Sequence, residues 1–158
     1  AADCRKALKA DPGPGGRSKV CELLKPVLLD KEFVAKHFPD NAPERKILYE
    51  DPELGFCIVA HHYPGAKSSS PHDHGPSWAI YGQATGETYM TEYDLVEPAA
   101  ETKTGKARKS KTYLMTPGSA YLYDVGALHA PTRHATTNLV RIEGQNMDHV
   151  KRWKFEEV

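Results

Sequence analysis

Long apolar runs are missing from this chain. No stretch approaches the roughly 18 consecutive apolar residues of a membrane-spanning helix, and no charged-then-apolar leader is present, so the sequence reads as soluble. Its start at Ala1-Ala2 fits a cleaved leader and a trimmed start equally. An excess of either charge is missing too: Lys and Arg total 21, and Asp and Glu total 21. No net field would steer such a chain toward nucleic acid or an anionic membrane, so the expected partner is a small polar molecule, with no nucleic acid and no membrane. Cysteine is scarce. Cys4, Cys21 and Cys57 are odd in number and form no CxxC, which argues against a disulfide framework and for a reducing compartment, the cytoplasm. A Gly-rich phosphate loop, a Ser/His/Asp nucleophile and a base-stacking platform are likewise not found.

What is present fits one domain of 158 residues with a sizeable core. Val20, Leu23, Leu24, Val27 and Leu28 recur at helical spacing, and Pro26 is expected to kink that helix or divide it. Asp30 is placed to cap a second short helix through Glu32, Phe33 and Val34. "DPGPGG" at 11–16 reads as a flexible link. The expectation is a helical N-terminal flank over 1–42 and a β domain over 43–158. In the latter, short runs rich in β-branched and aromatic residues predict strands near 46–50, 55–63, 77–84, 87–96, 111–115, 119–123, 139–143 and 152–155. Strands at this spacing suggest a sandwich or barrel. Residues 98–110, without apolar periodicity, read as an exposed loop.

The chemistry-bearing stretch is "PHDHGPSWAIYGQATGE" at 71–87. Residues i and i+2 of an extended segment share a face, so His72 and His74 can reach one ion. In a chain with eight histidines such a pair alone says little; two solvated loop histidines would look the same. The frame around the pair says more. Gly65, His72, His74 and Gly86, then Gly118, Gly126 and His129, resemble in their intervals the two motifs of the cupin superfamily. The Gly65-to-His72 interval is one residue longer than the pattern, Ala79 stands where the pattern has Glu, and Asp124 where it has Pro. The resemblance spans about half the chain, from 65 to 144.

That resemblance implies an all-β, double-stranded β-helix (cupin) barrel, with His72, His74 and His129 converging on a metal. Three neutral imidazoles suit Fe, Ni, Cu or Zn, and the expected ion is Fe(II), as the resemblance described next implies, with Ni, Zn, Mn or Cu as alternatives. Because Ala79 removes the usual carboxylate, the wording "HDHG…SWAIYGQATGE" and "YDVGALH" is similar to that of the thiol dioxygenases of the cysteine dioxygenase type. Their all-histidine iron takes a thiolate substrate and O2. Loss of the anionic ligand leaves more residual charge on the ion, which favours an anionic donor. The chain departs from that type after the third histidine: a Ser-x-His-x-Tyr strand is replaced by Leu139-Val140-Arg141-Ile142-Glu143. If Arg141 and Glu143 face the interior, Arg141 could hold a carboxylate bidentately; if Val140 and Ile142 do, both charges are surface residues.

The expected function is thus an Fe(II) dioxygenase acting on a small thiol or related chelating carboxylate with O2. The alternatives are a metal-dependent isomerase or lyase and a non-catalytic binding cupin. Tyr81, which shares parity with Ala79 as Gln83 does, is a further candidate for the reacting cavity beside Arg141 and Glu143. Arg133 and His134 lie in "APTRHATT", which reads as a solvated turn. Of His61 and His62 only one can point inward, and neither is favoured as a ligand. Cys57 reads as a small buried hydrophobe. A homodimer is left open.

Overall fold

Helix α2 (Pro14–Leu28) has Pro14 in its first turn, where a missing N–H costs nothing. A computed structural model describes residues 1–158. The "DPGPGG" stretch is therefore only partly a link: it turns at Asp11, whose carboxylate accepts from the Gly13 and Gly16 amides, and then enters the helix. Pro26 does not divide α2. It lies in the last turn, where it forfeits one backbone bond, while Val20, Leu24 and Leu28 stay buried along one face. A preceding helix, α1 (Ala2–Ala10), buries Cys4 and Leu8. Helix α3 (Lys31–His37) is capped by Asp30, which accepts from the amides of Glu32 and Phe33 as expected.

Ten strands follow: β1 (Arg45–Glu50), β2 (Cys57–Tyr63), β3 (Lys67–Ser68), β4 (Ala79–Thr85), β5 (Thr88–Glu97), β6 (Gly105–Met115), β7 (Ala120–Tyr123), β8 (Leu128–Arg133), β9 (Thr137–Glu143) and β10 (Phe155–Glu157). They form two five-stranded sheets, ordered β1-β2-β9-β4-β7 and β10-β6-β5-β8-β3. Only β10 against β6 pairs in parallel. Two strand expectations need correction. The 98–110 segment is not all loop, because β6 starts at Gly105 and pairs with the far end of β5, Leu95 opposite Ala107. Its charged side chains point to solvent while the backbone is satisfied by the ladder, so hydrophobic patterning had nothing to report. Likewise "HAPTR" is strand rather than turn: β8 carries His129, paired with Glu92, and Pro131, paired with Met90.

Alternate residues of the first sheet separate two cores. Ala60, Ile80, Val140 and Ile142 pack with Val20, Leu24 and Leu28 of α2, so this face is the outside of the barrel, roofed by the helices. Ala79, Tyr81 and Tyr123 pack with Met90 and Met115 from the other sheet, so that face is the interior. The helix–sheet approach is close at Gly82, where a Cβ would meet Leu24 Cδ2 at 2.7 Å and Leu28 Cδ1 at 2.9 Å. The N-terminal helices thus supply much of the larger core instead of merely flanking it.

Candidate metal centre

The three histidines come from two segments that are locked together. His72 and His129 exchange backbone hydrogen bonds, His72 N–H to His129 O at 3.0 Å and the reverse at 2.9 Å. The "HDHG" stretch is not the continuous extended segment expected. It is a bridge at His72 followed by tight turns, in which Asp73 accepts from the Gly75 amide and the His74 carbonyl from the Ser77 amide. The effect on the side chains is nevertheless convergence: one nitrogen each of His72, His74 and His129 lies within 4.8 Å of the others.

Hydrogen bonds fix which nitrogens face inward. His72 Nδ1–H donates to Ser70 O at 2.9 Å and His129 Nδ1–H to Ala127 O at 3.1 Å, leaving both Nε2 lone pairs free. His74 Nε2 lies 3.2 Å from His129 Nε2. Its other nitrogen, Nδ1, faces Glu143 Oε2 at 3.7 Å, and neither atom has another partner. With its proton on Nδ1, His74 turns a lone pair toward His129 and a proton toward a buried carboxylate, the arrangement that orients metal-bound imidazoles. All three rings are held neutral. Burial pulls the pKa of His72 down to about 4, lowers that of His74, and takes that of His129 well below the usual histidine range. Neutral imidazoles with their lone pairs converging fit a divalent ion, since bonds of about 2.0–2.1 Å to one ion place neighbouring nitrogens about 3 Å apart.

Around this cluster the interior parity of β9 is now plain. Val140 and Ile142 face the helices, so Arg141 and Glu143 point inward, which resolves the alternative left open above. Arg141 lies over the Tyr81 ring at 4.4 Å, with Nη1 3.6 Å from Glu143 Oε1; its side chain is 14% exposed. Burial opposes charge on Glu143, but His74 and Arg141 outweigh it and hold the carboxyl below its ordinary value. The Tyr81 hydroxyl sits 2.9 Å from His74 Nε2 and 3.3 Å from His129 Nε2, its pKa pushed up to about 12 by burial. Ala79 is fully buried, opposite Glu143 and Tyr123 in register. No carboxylate takes the place left by Ala79 among the converging donors; Glu143, on the neighbouring strand, faces His74 Nδ1 instead. Gln83 is buried and spends its amide on Thr85 O, away from the cluster.

Tyr63 is a lining residue that sequence reasoning missed. His61, inward on β2, is buried with Nδ1 3.0 Å from the Tyr63 hydroxyl; it is not among the converging nitrogens. His62 faces Asn138. Arg133 is buried rather than solvated, over the Tyr63 ring at 4.6 Å, whereas His134 is exposed beside Tyr89. The signal for His61, Tyr63 and Arg141 was cross-strand register, since Val59 pairs with Arg141 and so the odd-numbered residues of β2 share its face. A cavity of about 480 Å³ is lined by His61, Tyr63, Arg141 and Glu143 among others, and a second of about 330 Å³ by His72, Tyr63, Arg133 and Arg141. No helix is long and apolar enough to cross a membrane.

Comparison with protein families finds no matching family, and comparison with curated protein sequences finds no match. Solved structures do match. An uncharacterized conserved protein with a double-stranded β-helix domain from Klebsiella pneumoniae superposes with a TM-score of 0.52 over 78% of this chain and 88% of that one, at 12% identity. A cupin superfamily protein from Desulfitobacterium hafniense gives 0.48 over 65% and 76%, at 13% identity. KdgF from a Halomonas species gives 0.48 over 70% and 88%, at 16% identity. At 12% identity the likeness to the Klebsiella protein speaks for fold alone, and with the strand order above it shows a double-stranded β-helix, here roofed by N-terminal helices and enclosing a three-histidine cluster able to hold a divalent metal.

Proposed function

We propose that this chain is a mononuclear non-haem iron dioxygenase of the cysteine dioxygenase-like cupin type, acting on a small thiol that also carries a carboxylate. The observation that carries the reading is the donor set: three neutral imidazole nitrogens converge within 4.8 Å, with no carboxylate among them. A ferrous ion there would supply open coordination positions and the electron chemistry that O2 requires. The net change is RSH + O2 → RSO2H, in which the sulfur takes both oxygen atoms. The other groups are this chain's own. Glu143 keeps a proton on His74 Nδ1 and thereby keeps Nε2 available. Arg141, steadied by the Tyr81 face and by Glu143, offers a fork of N–H donors to the substrate carboxylate. The Tyr81 hydroxyl, kept protonated by burial, can donate to an anionic atom placed among the histidines. This takes the place of the Ser-x-His-x-Tyr groups that positions 139, 141 and 143 do not carry.

The test is metal analysis of protein purified without a His tag, followed by anaerobic loading with Fe(II) and an O2 electrode. With 3-mercaptopropionate as probe, O2 uptake should match sulfinate formed one for one. Turnover with zinc and no O2 uptake would replace this reading with Lewis-acid chemistry at the same histidines. Absence of any bound metal would replace it with a ligand-binding cupin.

A further inference from the structure

The smaller of the two cavities is one-sided in charge although the chain is not. Its wall includes Lys67, Arg133, Arg141 and Arg152, borders His72, and holds no acidic residue. The larger cavity, by contrast, sets Glu44, Glu143 and Asp148 against its arginines. Of the four cations, Lys67 is answered by Glu44 and Arg141 by Glu143, while Arg152 has no ion pair but is exposed to solvent. Arg133 is answered by nothing. It is 3% exposed, makes no ion pair, and its Nε and Nη2 have no hydrogen-bond partner. Its guanidinium lies over the Tyr63 ring at 4.6 Å, and Tyr63 also lines the cavity with Arg141. A buried guanidinium without an anion is a standing electrostatic cost, which a ligand anion would relieve.

We infer that Arg133 is a second anion subsite, so that the substrate is a small acid with two anionic groups, one held by Arg141 and the other by Arg133 across Tyr63. This deepens the functional reading above and rests on its assignment of Arg141. The serines of the Ser68-Ser69-Ser70 run on the same wall provide neutral donors for the remaining oxygens of that second group. A monoanionic substrate would leave Arg133 as it is now, buried and unpaired.

The experiment compares succinate with propionate, two probes that differ by one carboxylate, by calorimetry and by thermal shift on the purified full chain. The parent should bind succinate about ten-fold or more tightly than propionate, one charge-assisted pair being worth at least that factor. In Arg133→Met the preference should fall to about two-fold or less, the statistical advantage of two carboxylates, and Arg133→Lys, with charge but no fork, should fall between. Since the parent Arg133 is unpaired, the ligand-free Arg133→Met protein should melt no lower than the parent; if it does, Arg133→Lys alone scores the preference. A parent without the preference, or an Arg133→Met or Arg133→Lys protein that keeps it in full, overturns the inference. Arg141→Met reports separately: unchanged propionate binding there would overturn the assignment of Arg141, whereas loss of propionate binding with no succinate preference in the parent would overturn Arg133 alone.

Discussion

At the scale of single residues, the site is defined by which nitrogen each histidine turns inward. His129 is the strictest case: fully buried, Nδ1 bonded to Ala127 O, and its backbone bonded to that of His72. Replacing His129 by Ala should lower bound metal by about 10-fold or more, because each ligand belongs to one chelate. Replacing His61 or His149, which are not among the converging nitrogens, should leave metal content intact, and elemental analysis of the purified variants decides both. Ala79 makes a different test. A glutamate there would enter the buried interior directly opposite Glu143 and against Tyr81 and Tyr123. An uncompensated buried charge costs about 3–5 kcal/mol, so metal-free Ala79→Glu should unfold at clearly lower denaturant than the parent, and added metal should recover part of the loss. A variant as stable as the parent without metal would show that position 79 does not face the interior.

At the scale of elements, helix α2 acts as a roof pressed onto β4, and Gly82 is where they meet. A methyl at 82 would stand under 3 Å from Leu24 and Leu28 side-chain carbons, so Gly82→Ala should destabilise by about 1–3 kcal/mol in chemical denaturation, through overpacking. This contact also shows what the sequence could and could not convey. The intervals around His72, His74 and His129 were legible because they record turns: Gly86, for instance, adopts φ of 74°, and a Cβ there would sit 2.5 Å from Thr136 O. Strand β8 was not legible, since Pro131 reads as a turn and five of its six residues are buried, so no alternation shows. The face of β9 was ambiguous for the opposite reason. Val140 and Ile142 are as apolar as an interior row, and only the helices packed outside the barrel explain why charges hold the inside. Patterning reports burial, and here both faces of the sheet are buried.

At the scale of the whole molecule, the metal-free protein keeps several neutral histidines inside a cavity wall, which couples its stability to pH. Burial lowers the pKa of His72 to about 4 and also lowers those of His61, His74 and His129. Histidine in an unfolded chain titrates near 6.5, so below about that pH the unfolded state binds protons that the folded state refuses. Stability is therefore complete above about pH 6.5 and declines as the pH falls toward the folded value of about 4 for His72, with the more deeply buried rings extending the decline below it. Glu143, also held below its ordinary value, adds to the loss in the acid part of this range. Bound metal requires the same neutral rings, so it stabilises only the folded chain and its loss is proton-coupled. The expected record is a melting temperature that is flat from about pH 8 to 6.5 and falls steadily below, with the metal-loaded protein lying above the metal-free one and converging on it as acid strips the ion. A metal-free melting temperature that stayed level down to about pH 4.5 would mean that these rings are solvated and free to take up protons, and the convergence of His72, His74 and His129 would lose its physical basis.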